Sequence, residues 1–390
     1  MTDAILAINA GSSSLKFALY VAGTLAPLCR GGVSGLGGTV RLETSGPLTL
    51  PGAPPPACDH PGAVGWLLDA LRCVPGLVVQ AAGHRVVHGG RDFWAPVRID
   101  DETLIRLDRL VPLAPGHQPL NLAAIRAVAE AWPGLPQIAC FDTAFHRTQP
   151  RLAQLFPIPR ALSDEGLLRY GFHGLSYEHV AAALPEVAGA RAEGRVIVAH
   201  LGHGASLCAL RNRRSIASTM GLTALDGLMM GTRSGSVDPG LVLHLIRERG
   251  LSPGAVADLL NARSGLLGVS GLSGDVRVLQ DSDDPRAAEA LDLFAYRAVR
   301  EAGSLVAALG GLDALVFTAG IGEHAPRMRA AIAAGLAAFG VALDPARNEG
   351  NESCISRVGA RVGVYVVPAN EEWPIARAVV RCLAEVGSRG

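Results

Sequence analysis

The sequence predicts an α/β protein with two domains of similar construction. Its 390 residues exceed the length at which one hydrophobic core usually keeps growing. Short apolar runs typical of buried strands alternate with amphipathic stretches typical of helices, and 47 Gly with 25 Pro supply many turns. A hairpin pattern near the start of the chain returns near residue 200, as two similarly built domains would require.

The predicted elements follow from apolar periodicity and from Gly and Pro at the boundaries. Strands are predicted at residues 5–8, 15–20, 77–82, 137–141, 196–199, 312–318 and 362–367. Helices are predicted at residues 62–73, 101–111, 122–132, 241–249 and 285–308, with a terminal helix that starts at Pro374. The alternation of the two types favours the α/β class.

The opening hairpin is suited to binding phosphate. Asn9 and residues 12–14, all serine, bring backbone N–H groups and hydroxyls to a turn that contains Gly11. Lys16, the only lysine of the chain, adds a positive charge beside those donors. A surface hairpin with an incidental lysine is the alternative interpretation.

The second copy of the hairpin begins at residue 196. When residues 9–19 are superposed on residues 200–210 without a gap, Gly11 aligns with Gly202, and both stretches end in Ala-Leu. Two facing turns of this kind could clamp a polyphosphate from both sides.

Two candidate groups follow predicted strands in the first half of the chain. Arg85 lies beside glycines and between His84 and His88, which makes residues 83–90 a candidate anion site. Asp142 comes directly after a strand, and ligands collect at the carboxyl ends of parallel strands. Asp142 is therefore a candidate catalytic or metal-binding acid, with helix capping as an equal alternative.

Candidate groups in the second half also lie in loops. Arg233 stands among Gly, Ser and Thr, which favours an oxyanion contact over a solvated surface charge. The strand that ends at residue 318 opens into a loop whose glycines let a ring or a phosphate approach the backbone. Glu371 and Glu372 follow the last strand and could hold a metal ion, or they simply suit the dipole of the terminal helix.

Composition excludes several classes of partner and location. Net charge is zero, so neither a nucleic-acid-binding face nor a basic membrane patch is expected. Seven widely spaced cysteines without a C-x-x-C pair argue against a disulfide framework and a zinc site. The start of the chain lacks a signal-peptide pattern, and no apolar run is long enough to span a bilayer. We expect a cytoplasmic protein that acts on small molecules.

Seven segments, taken in order, are similar to those of the acetate kinase (acetokinase) family. They are INAGSSSLK at residues 8–16, GHRVVHGG at 83–90, CFDTAFH at 140–146, RYGFHG at 169–174, GLMMGTRSG at 227–235, FTAGIGE at 317–323 and ANEE at 369–372. The resemblance implies two duplicated actin-like ATPase (ribonuclease H-like) domains around a central cleft, and a homodimer. It implies that residues 1–146 and the terminal helix 374–390 form one domain, and that residues 147–373 form the second, with the nucleotide site.

The resemblance also implies a function. It indicates reversible, magnesium-assisted, in-line phosphoryl transfer between ATP and acetate, giving acetyl phosphate and ADP, with Mn²⁺ as a substitute for Mg²⁺. A propionate or butyrate kinase of the same family is one alternative, because one methylene group discriminates only about 10–200-fold. A relative that binds nucleotide without transferring phosphate is the other.

Site residues are carried over from the family position by position. Asp142, His173 and Arg233 resemble its catalytic residues, Arg85 and His117 its substrate-binding residues, and Asn9 and Glu371 its magnesium-site residues. The resemblance implies a nucleotide site of Lys16, His200, Leu201, Gly202, His203, Gly204, Asp275, Val276, Arg277, Gly320, Ile321, Gly322, Glu323 and His324.

The chain departs from the family pattern at four positions. His203 and His324 stand where the family usually has Asn, Asp226 stands where Glu is usual, and Gly116 replaces a larger residue. The two histidines concern the nucleotide and the choice of phosphoryl donor, because an imidazole replaces the N–H of an amide with a different geometry.

Overall fold

The computed structural model describes residues 1–11 and 13–387, with the side chains of residues 386 and 387 excepted. Ser12, which was predicted in the phosphate turn, and the last three residues of the predicted helix 374–390 lie outside the described residues. The chain forms two compact units: Met1–Phe145 with the residues from Asn370 on, and His146–Ala369.

The first unit is built on a seven-stranded mixed sheet. Its strand order is β4-β3-β2-β1-β5-β7-β6, with β1, β5 and β7 parallel and the others antiparallel to their neighbours. The strands are β1 (Thr2–Ala10), β2 (Ser14–Val21), β3 (Pro27–Ser34), β4 (Arg41–Ser45), β5 (Leu77–Val86), β6 (Val97–Arg98) and β7 (Gln137–Phe141). The helices are α1 (His60–Arg72), α2 (Asp101–Asp108) and α3 (Gln118–Ala131), and 3₁₀ turns lie at Val111–Leu113 and, across the boundary of the units, at Ala144–Thr148.

The second unit is built on a five-stranded sheet of order β10-β9-β8-β11-β12. Its strands are β8 (Arg195–Leu201), β9 (Ala205–Arg211), β10 (Arg214–Ser218), β11 (Ala314–Thr318) and β12 (Gly363–Val366). Its helices are α4 (Arg151–Gln154), α5 (Arg160–Asp164), α6 (Gly174–Ala188), α7 (Pro239–Arg247), α8 (Pro253–Ala262), α9 (Gly265–Ser270), α10 (Val276–Gln280), α11 (Pro285–Leu309), α12 (Ala319–His324), α13 (Pro326–Gly335) and α14 (Pro345–Glu349). Further 3₁₀ turns lie at Gly189–Glu193 and Ala337–Phe339, and the last helix of the chain, α15 (Glu372–Gly387), belongs to the first unit.

The two sheets repeat one design. Strands β3-β2-β1-β5-β7 and strands β10-β9-β8-β11-β12 have the same order, with an antiparallel meander followed by two parallel strands. Each parallel step requires a crossover through a helical segment, which explains the α/β alternation in the sequence. The predicted α/β class and the internal duplication are therefore confirmed.

The ungapped superposition of the two hairpins is wrong by one residue after the turn. The last pair before the first turn is Ala10 with Leu15, whereas in the second hairpin it is Leu201 with Ala205. Four residues therefore separate the first pair and three separate the second, so Lys16 corresponds to Ser206 and not to Leu207. A one-residue slip moves every following side chain to the other face of the sheet.

Several element boundaries differ from the sequence predictions, and four of the differences lie near candidate site residues. Strand β5 continues to Val86, so the stretch that was read as a loop is partly strand. Helix α3 starts four residues early, at Gln118, and α15 begins at Glu372, before Pro374. The predicted glycine loop at residues 319–324 is the short helix α12, because glycine costs only about 1 kcal/mol per residue in a helix and strand β11 fixes its start. None of the described helices is long and apolar enough to cross a bilayer.

His84 is buried in the core of the first unit, on the face of the sheet opposite Arg85. Its neighbours across the sheet are Ile8 and Ala139, and its side chain is 1% exposed. Burial lowers the pKa of His84 to about 4, and the side chain of Gln137 acts in the other direction. His84 therefore does not belong to the anion site predicted for residues 83–90.

We expect the first unit to lose stability in acid through His84. The unfolded chain binds a proton here below pH 6.5, but the folded chain does so only below about pH 4. The free energy of unfolding should therefore fall by about 2 kcal/mol between pH 7.5 and pH 5 on account of this residue. In urea denaturation, the free energy of unfolding of His84→Leu should differ less between these two pH values than that of the wild type. The exposed control His244→Gln should behave like the wild type, and an equal pH dependence in His84→Leu would contradict the assignment.

Candidate functional site

One face of the first sheet carries a cluster of polar and charged side chains near the ends of its parallel strands. Asn9 in β1 pairs with Lys16 in β2, Arg85 lies in β5, and Asp142 directly follows β7. Because side chains alternate across a strand, Asn9 and Arg85 lie on one face of the sheet, and α15 packs on the same face at Gly83. The fold thus brings together candidates that are up to 133 residues apart in β1 and after β7.

Arg85 is held by the carboxylate of Asp142. Its Nε and Nη2 both donate to Asp142 Oδ2, at 3.1 and 2.7 Å, and its Nη1 donates to Asn9 Oδ1 at 3.3 Å. The two side chains are only 13% and 1% exposed. Burial alone would lower the pKa of Arg85, but Asp142, Glu371 and Glu372 outweigh it and raise that pKa. The guanidinium is permanently charged at the centre of three carboxylates.

The start of α15 adds two carboxylates to this cluster. Asn9 Nδ2 donates to Glu371 Oε2 at 2.8 Å and approaches Glu372 Oε1 at 3.5 Å. Burial, and then the neighbouring Glu371, raise the pKa of Glu372, while Lys16 lowers it. Two adjacent carboxylates are hard oxygen donors of the kind that Mg²⁺ prefers, and a cation would offset their mutual repulsion. The residues present therefore fit a magnesium ion, although no group of three His, Cys, Asp or Glu in metal-binding geometry occurs among the described residues.

The beginning of α3 braces the strand ends that carry the cluster. The buried amide of Asn121 accepts from Val87 N at 3.0 Å and donates to the carbonyl of Ala10 at 2.9 Å. Gln118 binds both backbone groups of His88, and His117 stands at the N-cap position of the same helix. This bracing role of the two amides was not predicted from the sequence, because the backbone groups that they bind belong to distant segments.

In the second unit, His173 and Arg233 converge on Gly204. A Cβ atom on Gly204 would lie 3.1 Å from Arg233 Nη2 and 3.2 Å from His173 Nε2, so both side-chain tips face the same point of the hairpin turn. Arg233 Nη1 donates to the carbonyl of Ala224 at 2.6 Å. His173 has a φ of 57°, an unusual value outside glycine, at the start of α6.

Buried hydroxyls surround the histidines of this unit. His173 Nδ1 lies 2.8 Å from Ser206 Oγ, and the phenol oxygen of Tyr177 lies 2.5 Å from the same atom. His200 stacks on His173 with ring centroids 4.1 Å apart, and its Nδ1 lies 2.8 Å from Ser176 Oγ. His200 is only 6% exposed, because the ring of His173 stacks on it.

A cavity of about 420 Å³ opens beside the hairpin turn. Eight of the residues predicted for the nucleotide site line it: Gly202, His203, Asp275, Val276, Arg277, Gly320, Ile321 and His324. Gly274 and Ala325, which the sequence analysis missed, line it as well. The lining of the cavity does not include five other predicted residues: His200, Leu201, Gly204, Gly322 and Glu323. Lys16 belongs to the first unit, where it pairs with Asn9.

Arg329 fixes the end of α12, the helix on one side of the cavity. Although completely buried, its guanidinium donates to the carbonyls of Gly322 and Glu323 at 3.0 and 2.8 Å. The remaining donors bind Asn348 and Asn351. A buried arginine whose donors are all bonded satisfies these carbonyls at the end of α12, which would otherwise need water. Arg329 lies in no recognisable sequence motif, so its role was not predicted from the sequence.

Two of the departures from the family pattern have a clear place in the structure. Burial, and then the charge of Arg233, lower the pKa of His203, while Asp275 raises it. The ring of His203 lies against Gly231, where a Cβ would come within 2.4 Å of Nδ1. Asp226 forms an ion pair with Arg169 at 3.0 Å and accepts from Ser236 Oγ at 2.6 Å, so it braces the loop before Arg233.

The comparisons with known proteins agree with the geometry. A family model described as the acetokinase family matches residues 4–377. The chain is 52% identical to the acetate kinase of Nitrobacter hamburgensis over 398 aligned positions, which cover 99% of this chain and 98% of that protein. It is 44% identical to the propionate kinase of Citrobacter rodentium over 402 positions, with 99% and 98% coverage. The crystal structure of Porphyromonas gingivalis acetate kinase is similar with a TM-score of 0.86 at 36% identity, covering 98% of this chain and 100% of that one.

These matches extend over both units and both sheets. The structural similarity to an acetate kinase along nearly the whole chain confirms the predicted duplicated actin-like ATPase fold. With the family model matching residues 4–377 and more than half of the aligned positions identical to a named relative, the chain belongs to the acetokinase family.

Proposed function

We propose that this chain is an acetate kinase, which transfers the terminal phosphoryl group of ATP reversibly to acetate and forms acetyl phosphate and ADP. The observation that carries the proposal is the convergence of His173 Nε2 and Arg233 Nη2 at Gly204, next to the residues of the hairpin turn that line the cavity. Phosphoryl transfer needs in-line positioning and donors that neutralise charge on the equatorial oxygens. These two side chains supply such donors, and the cavity would hold the nucleotide.

The acid would be bound and oriented by Arg85 and Asp142. A guanidinium recognises a carboxylate through two parallel hydrogen bonds, and His117 at the start of α3 would contribute to the same site. Acetate is already ionised at pH 7, so Asp142 does not need to remove a proton from it. Asp142 instead fixes the plane of the Arg85 guanidinium by accepting from Nε and Nη2.

Asn9 and Glu371, with Glu372 beside them, would hold a magnesium ion in the first unit. When bound, Mg²⁺ would neutralise charge on the phosphate oxygens. Mn²⁺ prefers the same type of oxygen ligand and would substitute for it. Lys16, the cross-strand partner of Asn9, would add a positive charge beside these groups of the first unit.

Two alternative functions remain distinguishable. A propionate or butyrate kinase would use the same donors with a longer acid pocket; the higher identity to an acetate kinase than to a propionate kinase, 52% against 44%, favours acetate. A protein that only binds nucleotide would not need the pair of Arg85 and Asp142, which the fold keeps buried and joined.

We also propose that the protein forms a homodimer through the face around α7. This apolar helix has no buried residue, and Leu241 and Leu243 are 44% and 48% exposed. Leu293 and Tyr296 of α11 are exposed in the same unit. A second copy of the chain would cover these side chains, as in the dimers that the family resemblance implies.

A cytoplasmic location is proposed on the state of the thiols. No disulfide joins any of the seven cysteines, all of which lie in the described part of the chain. Thiols stay reduced in the cytoplasm, whereas small extracellular proteins commonly pair them.

Acyl phosphate formation tests the proposed function. With ATP and Mg²⁺, we expect acetate to be the best acceptor among acetate, propionate and butyrate. Arg233→Ala should reduce kcat about 100-fold or more, because a donor at the developing charge is lost. Trapping the acyl phosphate with hydroxylamine measures the preference among the acids and the kcat of each variant. The exposed Arg357→Ala is the control and should be silent. Nucleotide binding without acyl phosphate from any of the three acids would contradict the proposal.

The pH dependence of nucleotide use should depend on His203. Its pKa is lowered in the free protein, and bound phosphates would raise it, so ATP should bind more tightly as the pH falls through the raised pKa. Each unit of that rise strengthens binding about tenfold at the acid end. His203→Asn should flatten the pH profile of KM for ATP between pH 5 and 7.5. His324→Asn, at an exposed position, should keep the wild-type profile, and a profile unchanged in His203→Asn would show that the imidazole does not meet the phosphates.

The oligomeric state should depend on Leu243. Leu243→Asp places a charge on the face proposed to be covered and should convert the dimer into a monomer, as measured by light scattering after size exclusion. Leu152→Asp, at a position 85% exposed and outside that face, is the matched control and should leave the dimer intact. A wild-type monomer at micromolar concentration would disprove the proposed dimer.

A further inference from the structure

A chain of two buried hydroxyls leads to the ring of His173 from the side opposite Gly204. Ser206 Oγ lies 2.8 Å from His173 Nδ1, and Tyr177 Oη lies 2.5 Å from Ser206 Oγ. Both Ser206 and Tyr177 are completely buried. Tyr177 is also tied to His173 through the backbone, because its N–H donates to the His173 carbonyl at 3.0 Å. The ring is therefore fixed both from its own helix and from strand β9.

The direction of the protons along this chain follows from the chemistry of the groups. Burial, and then the nearby Cys208, raise the pKa of the Tyr177 phenol well above 10, so the phenol keeps its proton. A phenol is a stronger donor than an aliphatic alcohol, so Tyr177 donates to Ser206. A hydroxyl has one proton, and Ser206 then donates it to His173 Nδ1. Nδ1 accepts, and the ring carries its own proton on Nε2.

The geometry points to Ser206, oriented by Tyr177, as the residue that sets the tautomer of His173, so that a neutral ring presents Nε2–H to the transferring phosphoryl group. This inference rests on the proposed function, because it gives His173 the donor role there. In the opposite tautomer, a lone pair on Nε2 would face the phosphoryl oxygens and repel them. A neutral donor also avoids placing a second positive charge beside Arg233 Nη2, which faces the same point.

Two further histidine rings and a thiol lie close to these two hydroxyls and His173. The ring of His200 stacks on His173, and the ring of His146 meets Tyr177 edge to face with centroids 5.6 Å apart. Burial lowers the pKa of His146 to about 4 and raises that of Cys208 to about 12, so both are neutral at pH 7. Arg233, by contrast, brings a positive charge to the point of Gly204 that His173 faces.

Ser206 also has a distinct place in the duplicated fold. It corresponds to Lys16 of the first hairpin, since Lys16 pairs with Asn9 and Ser206 pairs with His200 at the same position of the two sheets. The first copy uses this position for an exposed charge, and the second uses it for a buried hydroxyl. Ser206 and Tyr177 are therefore positioning residues that act through His173.

The test combines the tautomer of His173 with kinetics. In protein labelled with ¹⁵N-histidine, two-bond ¹H–¹⁵N correlation spectra distinguish a protonated from an unprotonated ring nitrogen, and His173→Gln assigns the signals. The wild type should show an unprotonated Nδ1 and a protonated Nε2. Ser206→Ala should give a mixture of tautomers and lower kcat about tenfold, the effect of one hydrogen bond, with KM for acetate and ATP unchanged. Tyr177→Phe should have a smaller effect of the same kind.

Matched variants separate this role from simple loss of packing. Ser206→Thr keeps the hydroxyl and should restore both the tautomer and kcat. Ser215→Ala removes an equally buried hydroxyl, which lies 2.9 Å from His146 Nδ1, and should change neither. A wild-type ring protonated on Nδ1, or a Ser206→Ala protein with the wild-type tautomer and kcat, would overturn the inference. If the wild type forms no acyl phosphate but Ser206→Ala still changes the tautomer of His173, the proposed function fails. The role of Ser206 in setting that tautomer would then stand.

Discussion

The close contact between Gly83 and α15 is the constraint on which the first unit depends. A Cβ on Gly83 would lie 2.4 Å from Ile375 Cγ2 and 2.7 Å from Val379 Cγ2, so the helix lies directly on strand β5. Only a residue without a side chain permits this approach. The segment that leads into the helix thereby reaches β1 and β2: Glu371 accepts from Asn9 at 2.8 Å, and Asn370 accepts from the Tyr20 hydroxyl at 3.0 Å. Residues more than 360 positions apart in the chain become neighbours.

That packing explains why the charged cluster of the first unit is stable. The ion pair of Arg85 and Asp142 is nearly excluded from water, and removal of one partner from such a pair typically costs about 3–5 kcal/mol. Asn9 of β1 accepts from Arg85 of β5 and donates to Glu371, which directly precedes α15. Because Asp142 follows β7 and binds the same arginine, these bonds link β1, β5 and β7 to α15. The cluster is therefore held in place before any ligand arrives, as efficient charge recognition requires.

The second copy of the same sheet uses neutral groups where the first uses charged ones. Hydroxyls of Ser206, Tyr177 and Ser176 order two stacked histidines, and Arg233 supplies the positive charge from a separate loop. This loop is shaped by glycines with positive φ, at Gly227 and Gly235, where neighbouring carbonyls leave no room for a Cβ. One backbone design thus supports two different chemistries, because only the side chains at equivalent positions differ.

The sequence by itself determined the α/β class, the duplication, and the loops in which Asp142 and Arg233 lie, but it placed Arg85 in a loop although this residue lies in strand β5. Those features depend on local patterns, namely apolar periodicity and the polar residues that follow a strand. Glycine-containing turns identified residues 202–204 and 320–322 as places where a phosphate could approach the backbone, but only the resemblance to a family joined them with residues 275–277 in one nucleotide site.

Only the tertiary structure decided which candidates meet. His84 and Arg85 are neighbours in sequence, but they lie on opposite faces of one strand, a distinction that depends on where β5 ends. The length of the first turn, one residue greater than that of the second, decided that Ser206 and not Leu207 corresponds to Lys16. The buried braces Gln118, Asn121 and Arg329 follow no local rule, because each satisfies backbone groups that become neighbours only when distant segments pack together.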